Sequence, residues 1–403
     1  MHAFPIFVLV GTASVAVLGG IVRSRFFAIF LGILLSLQGL CAMAIREHFT
    51  HYAPLVTDVA FFYLQGCLYV HFASLVRARM RPLWFRALVS YPGLTFGAAS
   101  LLAFPFAIVA ALGVEPWGVE ICVVAALLGL GQSLYTRETD VHLSLDGEEV
   151  ASLSRRKHGR GRVDRPLRIV QITDPHLGPF MTTARLRRIC ERAVSREPDL
   201  ILLTGDFLTM ESHSDPRVLE DALAPLAAYE GKTFACFGNH DHEAPELVRA
   251  ALSKHGITLL VDEEAVVDTP AGPVQLIGSD FHFRERAARL AALCERYPRR
   301  DGHLRIVLLH DPGAFKHVPE DHGDLVLSGH THGGQVGFLT LGVPSTAVSL
   351  FTSIPDHGFW ARGRDRLYVH RGTGVYGFPL RVGVPGEQSL LHVHDAREAL
   401  AAE

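Results

Sequence analysis

The sequence predicts a multi-span transmembrane α-helical region followed by an α/β domain. Residues 1–136 carry eleven charged side chains, about 8%, whereas the remaining 267 residues carry about 25%, as in soluble domains. The first region also contains five long apolar stretches, and the second alternates short apolar runs with helix-like stretches. These observations exclude a disordered chain and a purely soluble enzyme.

The five apolar stretches are each long enough to cross the hydrocarbon core of a membrane, which takes about 20 residues. Helices buried in a soluble core seldom lack charges over such lengths five times in succession. A cleaved signal peptide is disfavoured because residues 1–4 contain no Lys or Arg and four more stretches follow. The stretches are residues 3–22, 26–45, 55–76, 87–112 and 117–135.

Basic side chains in the short loops predict the orientation of these helices. The first and third loops contain six Arg together, whereas the second contains only Arg46 and the fourth contains none. The segment after the fifth stretch is basic as well. With five spans, all three basic regions lie on one side, so we expect the polar half in the cytoplasm and the amino end outside.

Residues 137–165 separate the membrane region, residues 1–136, from the domain, residues 166–403. Residues 138–146 alternate apolar and polar side chains, which predicts a strand. Residues 154–166 form a basic, Gly-containing loop that either lies on anionic lipid headgroups or is a solvated linker.

From residue 167 onward, each short apolar run ends in a polar cluster. Buried strands alternating with helices predict an α/β domain, in which ligand groups gather at the carboxyl ends of the strands. The runs are residues 167–172, 200–203, 233–237, 306–309 and 325–327, and helix-like stretches include 183–196 and 285–297.

The polar clusters supply imidazoles, carboxylates and one amide oxygen, without a thiolate. This set suits Zn, Mn, Fe or a similar divalent ion and argues against a closed structural zinc site. There are too many donors for one catalytic ion, but they suit two ions roughly 3.5–4 Å apart with a shared carboxylate. The residues are Asp174, His176, Asp206, Asn239, His240, His310, His330 and His332.

The order Asp-x-His, Gly-Asp, Gly-Asn-His-Asp, His-Asp-Pro and Gly-His-Thr-His-Gly-Gly-Gln resembles the calcineurin-like metallophosphoesterase superfamily over roughly residues 165–395. Gly-Gly-Gln and the later motifs at 371–374 and 379–381 resemble its membrane-associated bacterial branch. Pro175 in the first motif and residues 386–388, where the branch usually has Pro-Glu, depart from the pattern without removing a donor. The resemblance implies a four-layer αββα sandwich.

The resemblance also implies a role for each donor. Asp174, His176, Asp206 and His332 would hold one ion, and Asp206, Asn239, His310 and His330 the other, with Asp206 bridging. His240 would not be a ligand, but a general acid or a stabiliser of transition-state charge. Asp241 would either orient His240 or cap the following helix.

The expected activity is hydrolysis of phosphoesters at a membrane by a metal-bridging hydroxide. The substrate is expected to be either a lipid-linked or nucleotide-lipid phosphoester, or a soluble ester that the anchored enzyme meets near the membrane. Two alternatives remain open: a transporter or sensor regulated by a phosphoesterase-fold domain, and a catalytically inactive scaffold. The net charge of −3 gives no indication of nucleic-acid binding. The six scattered Cys indicate neither a structural zinc site nor a disulfide framework. The sequence does not indicate the oligomeric state.

Overall fold

The structure is a computed structural model that describes residues 3–159 and 165–395, and it consists of two compact units. The first unit contains the chain up to Leu134 together with Tyr376–Val382; the second contains Tyr135–Val375 and the chain from Gly383 onward. Arg160 and Arg162 of the predicted basic loop, and residues 396–403 of the predicted domain, lie outside the described residues.

The first unit is α-helical. A π-helical stretch, Arg86–Ser90, joins its fourth and fifth helices. The helices are α1 (Ala3–Val22), α2 (Arg25–Tyr52), α3 (Pro54–Ser74), α4 (Leu83–Phe85), α5 (Tyr91–Leu102), α6 (Phe104–Ala111) and α7 (Glu120–Ser133).

Within the described residues, α1, α2 and α3 are each long and apolar enough to cross a membrane. The fourth predicted stretch forms a bent pair, Leu83–Leu102 and Phe104–Ala111, whose halves meet at 59°. The bend coincides with Pro105 near the start of α6, because proline has no amide hydrogen to continue the hydrogen-bond ladder of α5. This pair counts as a fourth span only if both halves cross together.

The fifth predicted stretch forms a helix of only 14 residues, Glu120–Ser133. At about 1.5 Å per residue it reaches about 21 Å, short of a hydrocarbon core of about 30 Å. The helix starts late because Pro116 and Gly118 precede it. Gly118 has a φ of +87°, whereas residues of an α-helix have a negative φ. The apolar pattern from residue 117 therefore overstates the helix.

Small and polar side chains hold these helices together. A Cβ at Gly93 of α5 would collide with the backbone of Leu68 in α3, so glycine permits the close approach of the two helices. Gln38 and Gln65 exchange amide hydrogen bonds of 3.1 and 2.9 Å, and Gln38 also donates to Ser100. All three side chains are fully buried.

The chain returns to the helical unit at Tyr376–Val382. The ring of Phe378 lies 6.2 Å from that of Phe72 in α3 and packs beside Gly97 of α5. The carbonyl of Pro379 lies so close to Gly129 of α7 that a Cβ there would collide with it. Gly97 and Gly129 thus leave room among the helices for this segment, and we call the site where it packs its seat.

In its described residues, the second unit contains two sheets and five further α-helices. The strands are β1 (Thr136–Leu145), β2 (Val150–Arg155), β3 (Leu167–Ile172), β4 (Leu200–Leu203), β5 (Thr233–Ala235), β6 (Thr258–Leu259), β7 (Glu263–Thr269), β8 (Gly272–Gly278), β9 (Leu304–Leu308), β10 (Leu325–Ser328), β11 (Gly358–Gly363), β12 (Asp365–Val369) and β13 (Gly386–Asp395). The helices are α8 (Thr183–Ser195), α9 (Pro216–Leu223), α10 (Pro245–Lys254), α11 (Arg286–Arg296) and α12 (Ala347–Phe351).

The two sheets pack face to face around one apolar core. The six-stranded sheet has the order β1-β13-β3-β4-β5-β6, and the seven-stranded sheet has the order β2-β11-β12-β10-β9-β8-β7. Alternate residues of both sheets meet in this core, including Ile169, Leu202, Ile306 and Leu327. Burial of this apolar surface is the main force that holds the sheets together.

Helices cover the outer faces of both sheets. Leu290 and Leu293 of α11 pack on Val307 of the seven-stranded sheet. On the other side, the carbonyl of Ile189 in α8 accepts a hydrogen bond of 2.8 Å from Gln388 of β13. The order helix, sheet, sheet, helix confirms the predicted four-layer αββα fold.

The predicted strands and helices of the domain are present with small shifts of their ends. The run at 233–237 ends as a strand at Ala235, and the run at 306–309 begins earlier, at Leu304. Residues 137–165 are more than a connection, because they supply β1 to one sheet and β2 to the other.

The basic loop predicted at 154–166 is corrected at its start. Ser154 and Arg155 belong to β2. Arg155 pairs with Asp356 at 2.9 Å, and Arg156 pairs with Asp146 at 2.5 Å. These two guanidinium groups are therefore paired with carboxylates of their own unit.

Candidate metal centre

The predicted donors meet because the strands that precede them are neighbours. Strands β3, β4 and β5 are adjacent and parallel, as are β9 and β10 in the other sheet. Each run of donors follows the carboxyl end of one of these strands. The carboxyl ends of parallel strands share one edge of a sheet, where ligand groups collect.

The first cluster consists of Asp174, His176 and His332, all buried. The Nε2 atoms of the two imidazoles are 3.1 Å apart. Asp174 Oδ1 lies 3.8 Å from His176 Nε2 and 3.4 Å from His332 Nε2. Three donor atoms that converge within 4.8 Å could hold one metal ion.

The second cluster consists of Asp206, His310 and His330. His310 Nε2 lies 3.2 Å from Asp206 Oδ2 and 3.2 Å from His330 Nδ1. His310 Nδ1 donates a hydrogen bond of 2.6 Å to the carbonyl of Thr204, which turns Nε2 toward the cluster.

Asp206 stands between the two clusters. Its Oδ2 is 3.6 Å from His176 Nε2 of the first cluster and 3.2 Å from His310 Nε2 of the second. Its carboxylate therefore lies within 3.6 Å of an imidazole of each cluster.

Asn239 provides the clearest indication that this group of donors fits a cation. Its Oδ1 is buried and has no hydrogen-bond partner in the described structure. An unpaired buried amide oxygen costs free energy, and a cation beside it would remove that cost. Carboxylate, imidazole and amide donors together match a divalent metal site.

The backbone around these donors is strained. Asp174, His176, Asp206, His330 and His332 all have φ between +46° and +66°. Residues other than glycine rarely adopt this left-handed conformation, and it persists where the surrounding structure enforces it, often at functional sites. The donors themselves therefore make the turns that follow these strands.

The model of the calcineurin-like phosphoesterase family matches residues 167–334, which contain all eight predicted site residues. Phosphodiesterase YaeI of Escherichia coli is 32% identical over 234 residues, which cover 57% of this chain and 82% of that protein. The chain belongs to the calcineurin-like phosphoesterase family.

Two further relatives share this domain. The transmembrane protein with metallophosphoesterase domain of Danio rerio is 30% identical over 241 residues, 55% of this chain and 52% of that protein. The UDP-2,3-diacylglucosamine pyrophosphatase LpxG of Chlamydia muridarum is 26% identical over 260 residues, 52% of this chain and 78% of that protein. The predicted family and the predicted enzyme class, a phosphoesterase, are confirmed.

Burial and charge give the donors of this phosphoesterase distinct protonation states. Burial lowers the pKa of His176 to about 3, so its imidazole is neutral, which is the form that binds metal. Burial alone would lower the pKa of His310 as well, but the Asp206 and Asp174 carboxylates raise it to about 10. His310 thus holds a proton in the place where a cation would satisfy the same two carboxylates.

His240 borders the first cluster, with its ring centroid 5.5 Å from that of His176. Its Nδ1 lies 2.7 Å from Glu243 Oε1. Burial lowers the pKa of His240, but the hydrogen bond with Glu243 and the charge of Asp206 outweigh it, so the pKa is raised. Sequence reasoning missed Glu243; its spacing of three residues from His240 was the available signal.

Asp241 neither orients His240 nor only caps a helix. Its fully buried carboxylate accepts hydrogen bonds of 2.7, 2.8 and 2.8 Å from the backbone amides of Asp206, Phe207 and Gly238. It thereby ties the loop after β4 to the loop after β5. A local sequence pattern cannot predict this role, because two of the three amides lie more than 30 residues from Asp241 in the chain.

The motif at 371–374 of the phosphoesterase is hydrogen-bonded to the backbone of the loop that carries Asp174. The amide of Gly374 donates 3.0 Å to the carbonyl of Asp174, and the amide of Thr373 donates 2.8 Å to Thr173. Arg371 donates from Nε to the buried Glu387 at 2.5 Å. The charge of Arg371 keeps the pKa of Glu387 low despite burial, which by itself raises it.

Proposed function

We propose that this chain is a membrane-anchored phosphohydrolase that uses two divalent metal ions to cleave phosphoester bonds. The observation that carries the proposal is the pair of Asp/His clusters linked through Asp206. The buried, unpaired oxygen of Asn239 adds to it, because the next residue, His240, donates its backbone amide to Asp206 Oδ1 at 2.8 Å. Divalent cations supply such a site with a water of lowered pKa and with positive charge for phosphate oxygens. Mn, Fe and Zn all suit the donors.

The first ion would be held by Asp174, His176, Asp206 and His332. The second would be held by Asp206, Asn239, His310 and His330. The two Asp/His clusters support this division, and Asp206 Oδ2 lies near an imidazole of each cluster. Asn239 is assigned to the second ion by the family pattern.

His240 would act on the substrate rather than on the metals. Glu243 engages its Nδ1 and fixes the ring, so the proton to be transferred is the one on Nε2. The raised pKa favours the protonated imidazole, which is the form that protonation of a leaving alkoxide requires. The same charge would attract the phosphate before the bond breaks.

The substrate is proposed to be a phosphoester at or near a membrane, including lipid-linked phosphoesters. Three helices of spanning length and the transmembrane relative support a multi-pass anchor in the cell membrane. The relative LpxG is named for a lipid-linked pyrophosphate. The distribution of Arg in the loops supports a domain on the cytoplasmic side.

The test is phosphoesterase activity of the purified full-length protein with added Mn²⁺. We expect turnover of bis-p-nitrophenyl phosphate, p-nitrophenyl phosphate or a lipid pyrophosphate, and loss of that turnover in Asp206→Asn, because both ions lose a ligand. Asp199→Asn is the matched control, since Asp199 is also a buried Asp of this unit but accepts a hydrogen bond from the amide of Arg168.

Metal content measured by mass spectrometry separates the two steps of the argument. Asp206→Asn should retain less than the wild type, while Asp199→Asn should retain the same amount. Near-wild-type activity of Asp206→Asn, or no turnover of any ester by the wild type, would contradict the proposal.

A further inference from the structure

One segment of the second unit differs from the rest in composition. Residues 336–355 contain no Asp, Glu, Lys, Arg or His, in a half of the chain where about one residue in four is charged. The segment starts four residues after the candidate ligand His332. A protein surface with this composition has no charge with which to recognise an ionic partner.

The segment is also exposed. Elsewhere in the described part of the second unit, only Tyr135, Val266 and Phe283 are exposed among the large apolar side chains. Soluble proteins rarely show a contiguous apolar surface larger than a few hundred Å². The exposed members of the segment are Phe338 (53%), Leu341 (75%), Val343 (47%), Leu350 (67%), Phe351 (87%) and Ile354 (40%).

These side chains are presented by an ordered backbone. The amide of Phe338 donates 3.0 Å to the carbonyl of Ser345, and the amide of Ala347 donates 2.7 Å to Val336. Thr346 is buried, closes a capping box at the start of α12, and bonds to the Asp356 carboxylate. These hydrogen bonds fix the backbone of the segment in a conformation that leaves its large apolar side chains exposed.

A second loop adds apolar rings beside the candidate metal centre. The ring of Phe281 lies 6.0 Å from that of His330 and 6.1 Å from that of His310. Phe283 packs edge-on against Phe281 at 4.8 Å and is 76% exposed. Apolar rings of this loop therefore lie beside two of the donors, in addition to the exposed segment that follows His332.

The chain itself favours a lipid bilayer as the occupant of this surface. The amide of Thr340 donates 3.1 Å to the carbonyl of Gly383, the residue that directly follows the segment Tyr376–Val382 of the helical unit. That segment packs with Phe72 and Gly129 among helices of the apolar unit. The base of the exposed segment is thus hydrogen-bonded to a residue whose covalent neighbour, Val382, belongs to chain that lies among helices suited to a membrane.

We propose that residues 336–355 form an interfacial surface that seats in the bilayer. Phe338, Leu341, Leu350 and Phe351 enter the boundary between headgroups and acyl chains, where apolar side chains leave water. The consequence for substrates, that the centre acts on phosphoesters presented at the lipid surface, rests on the proposed function. The seating itself does not.

The test places an environment-sensitive fluorophore, NBD, on the surface of the full-length protein. All six native cysteines are buried, so a single exposed cysteine can be labelled selectively. Phe351→Cys is the test position, Leu341→Cys is a second one, and Val266→Cys on β7 is the matched exposed control. The labelled proteins are reconstituted in vesicles of phosphatidylcholine and phosphatidylglycerol.

At positions 351 and 341 we expect blue-shifted emission that doxyl-labelled lipids quench and aqueous iodide does not. The label at 266 should show the opposite. If the labels at 351 and 341 behave like the control, the bilayer does not cover the surface and the proposal fails; a partner protein would then be its occupant. Turnover of bis-p-nitrophenyl phosphate, measured in parallel, reports on the proposed function alone, so the two failures are distinguishable.

Discussion

The hydrogen bond between His240 and Glu243 links a candidate general acid to a carboxylate three residues along the chain. It occupies Nδ1 at 2.7 Å and raises the pKa of the imidazole against the effect of burial. A general acid must be protonated, so its contribution is present at low pH and lost as the pH rises through its pKa. The raised pKa extends activity toward higher pH.

We expect Glu243→Gln to move the alkaline limb of the kcat/KM profile to lower pH, because the carboxylate that raises the pKa of His240 is gone. His240→Ala should lose the limb and reduce turnover of an alkyl phosphodiester by about 10²–10⁴-fold. The loss should be smaller for p-nitrophenyl esters, whose leaving group needs no proton. Equal losses for both esters would instead indicate that His240 only stabilises charge.

At the scale of single residues, the sequence indicates the candidate donors but not the hydrogen bonds that hold their loops in place. Asp174 and His330 could be found because each follows an apolar run that forms a parallel strand, and such strands end at one edge. Asp241 could not be assigned, because its partners are backbone amides brought near by the fold. Asn239 is predicted as a donor from its motif, but only the structure shows that its buried oxygen has no hydrogen-bond partner among the described residues.

At the scale of elements, strands are predicted better than membrane helices. A buried strand is short and its apolar run covers most of it, as at Leu200–Leu203. The apolar stretch from residue 117 instead includes Gly118, whose φ of +87° prevents α-helix there. Hydropathy reports how apolar the side chains are, whereas the length of a helix also depends on the backbone conformation of each residue.

The seat of Tyr376–Val382 on α7 gives a matched pair of variants. Gly129→Val should destabilise the protein by about 1–3 kcal/mol, because its side chain would displace the Pro379 carbonyl and crowd Val382. Gly131→Val, two residues along the same helix, meets nothing within 4 Å. Thermal unfolding in detergent should show a lower Tm for the first variant only; equal Tm values would contradict the seat.

At the scale of the whole molecule, the side of the membrane on which the domain lies depends on the number of crossings. Among the described residues, three helices have spanning length, the bent pair is a fourth span only if both halves cross together, and α7 has only 14 residues. A cytoplasmic domain with an external amino end requires an odd number of crossings. The Arg-rich loops favour this arrangement, so α7 would have to cross despite its length.

Alkaline phosphatase fusions in a bacterial host measure this directly, because the reporter is active only outside the cytoplasm. We expect fusions after Ala53 and Gly113 to be active, and fusions after Met80 and at the carboxyl end to be inactive. Activity of the carboxyl-terminal fusion would show that α7 does not cross and that the domain lies outside.

The division into two halves follows from the distribution of charge, but the crossing of the chain between them does not. Tyr376–Val382 contains one Arg and lies within the polar half, so composition places it with the enzyme. Its contacts with Phe72, Gly97 and Gly129 arise from distant parts of the chain. Such long-range pairing has no local signal.

The return of the chain at Tyr376–Val382 also sets an order of biogenesis. Translation completes α7 long before it reaches residue 376, and all strands up to β12 are synthesised in between. The helices are therefore synthesised with the seat on Gly97 and Gly129 unfilled. Tyr376–Val382 can fill it only after most of the second unit has been synthesised, so a chain truncated before residue 376 has an incomplete helix bundle.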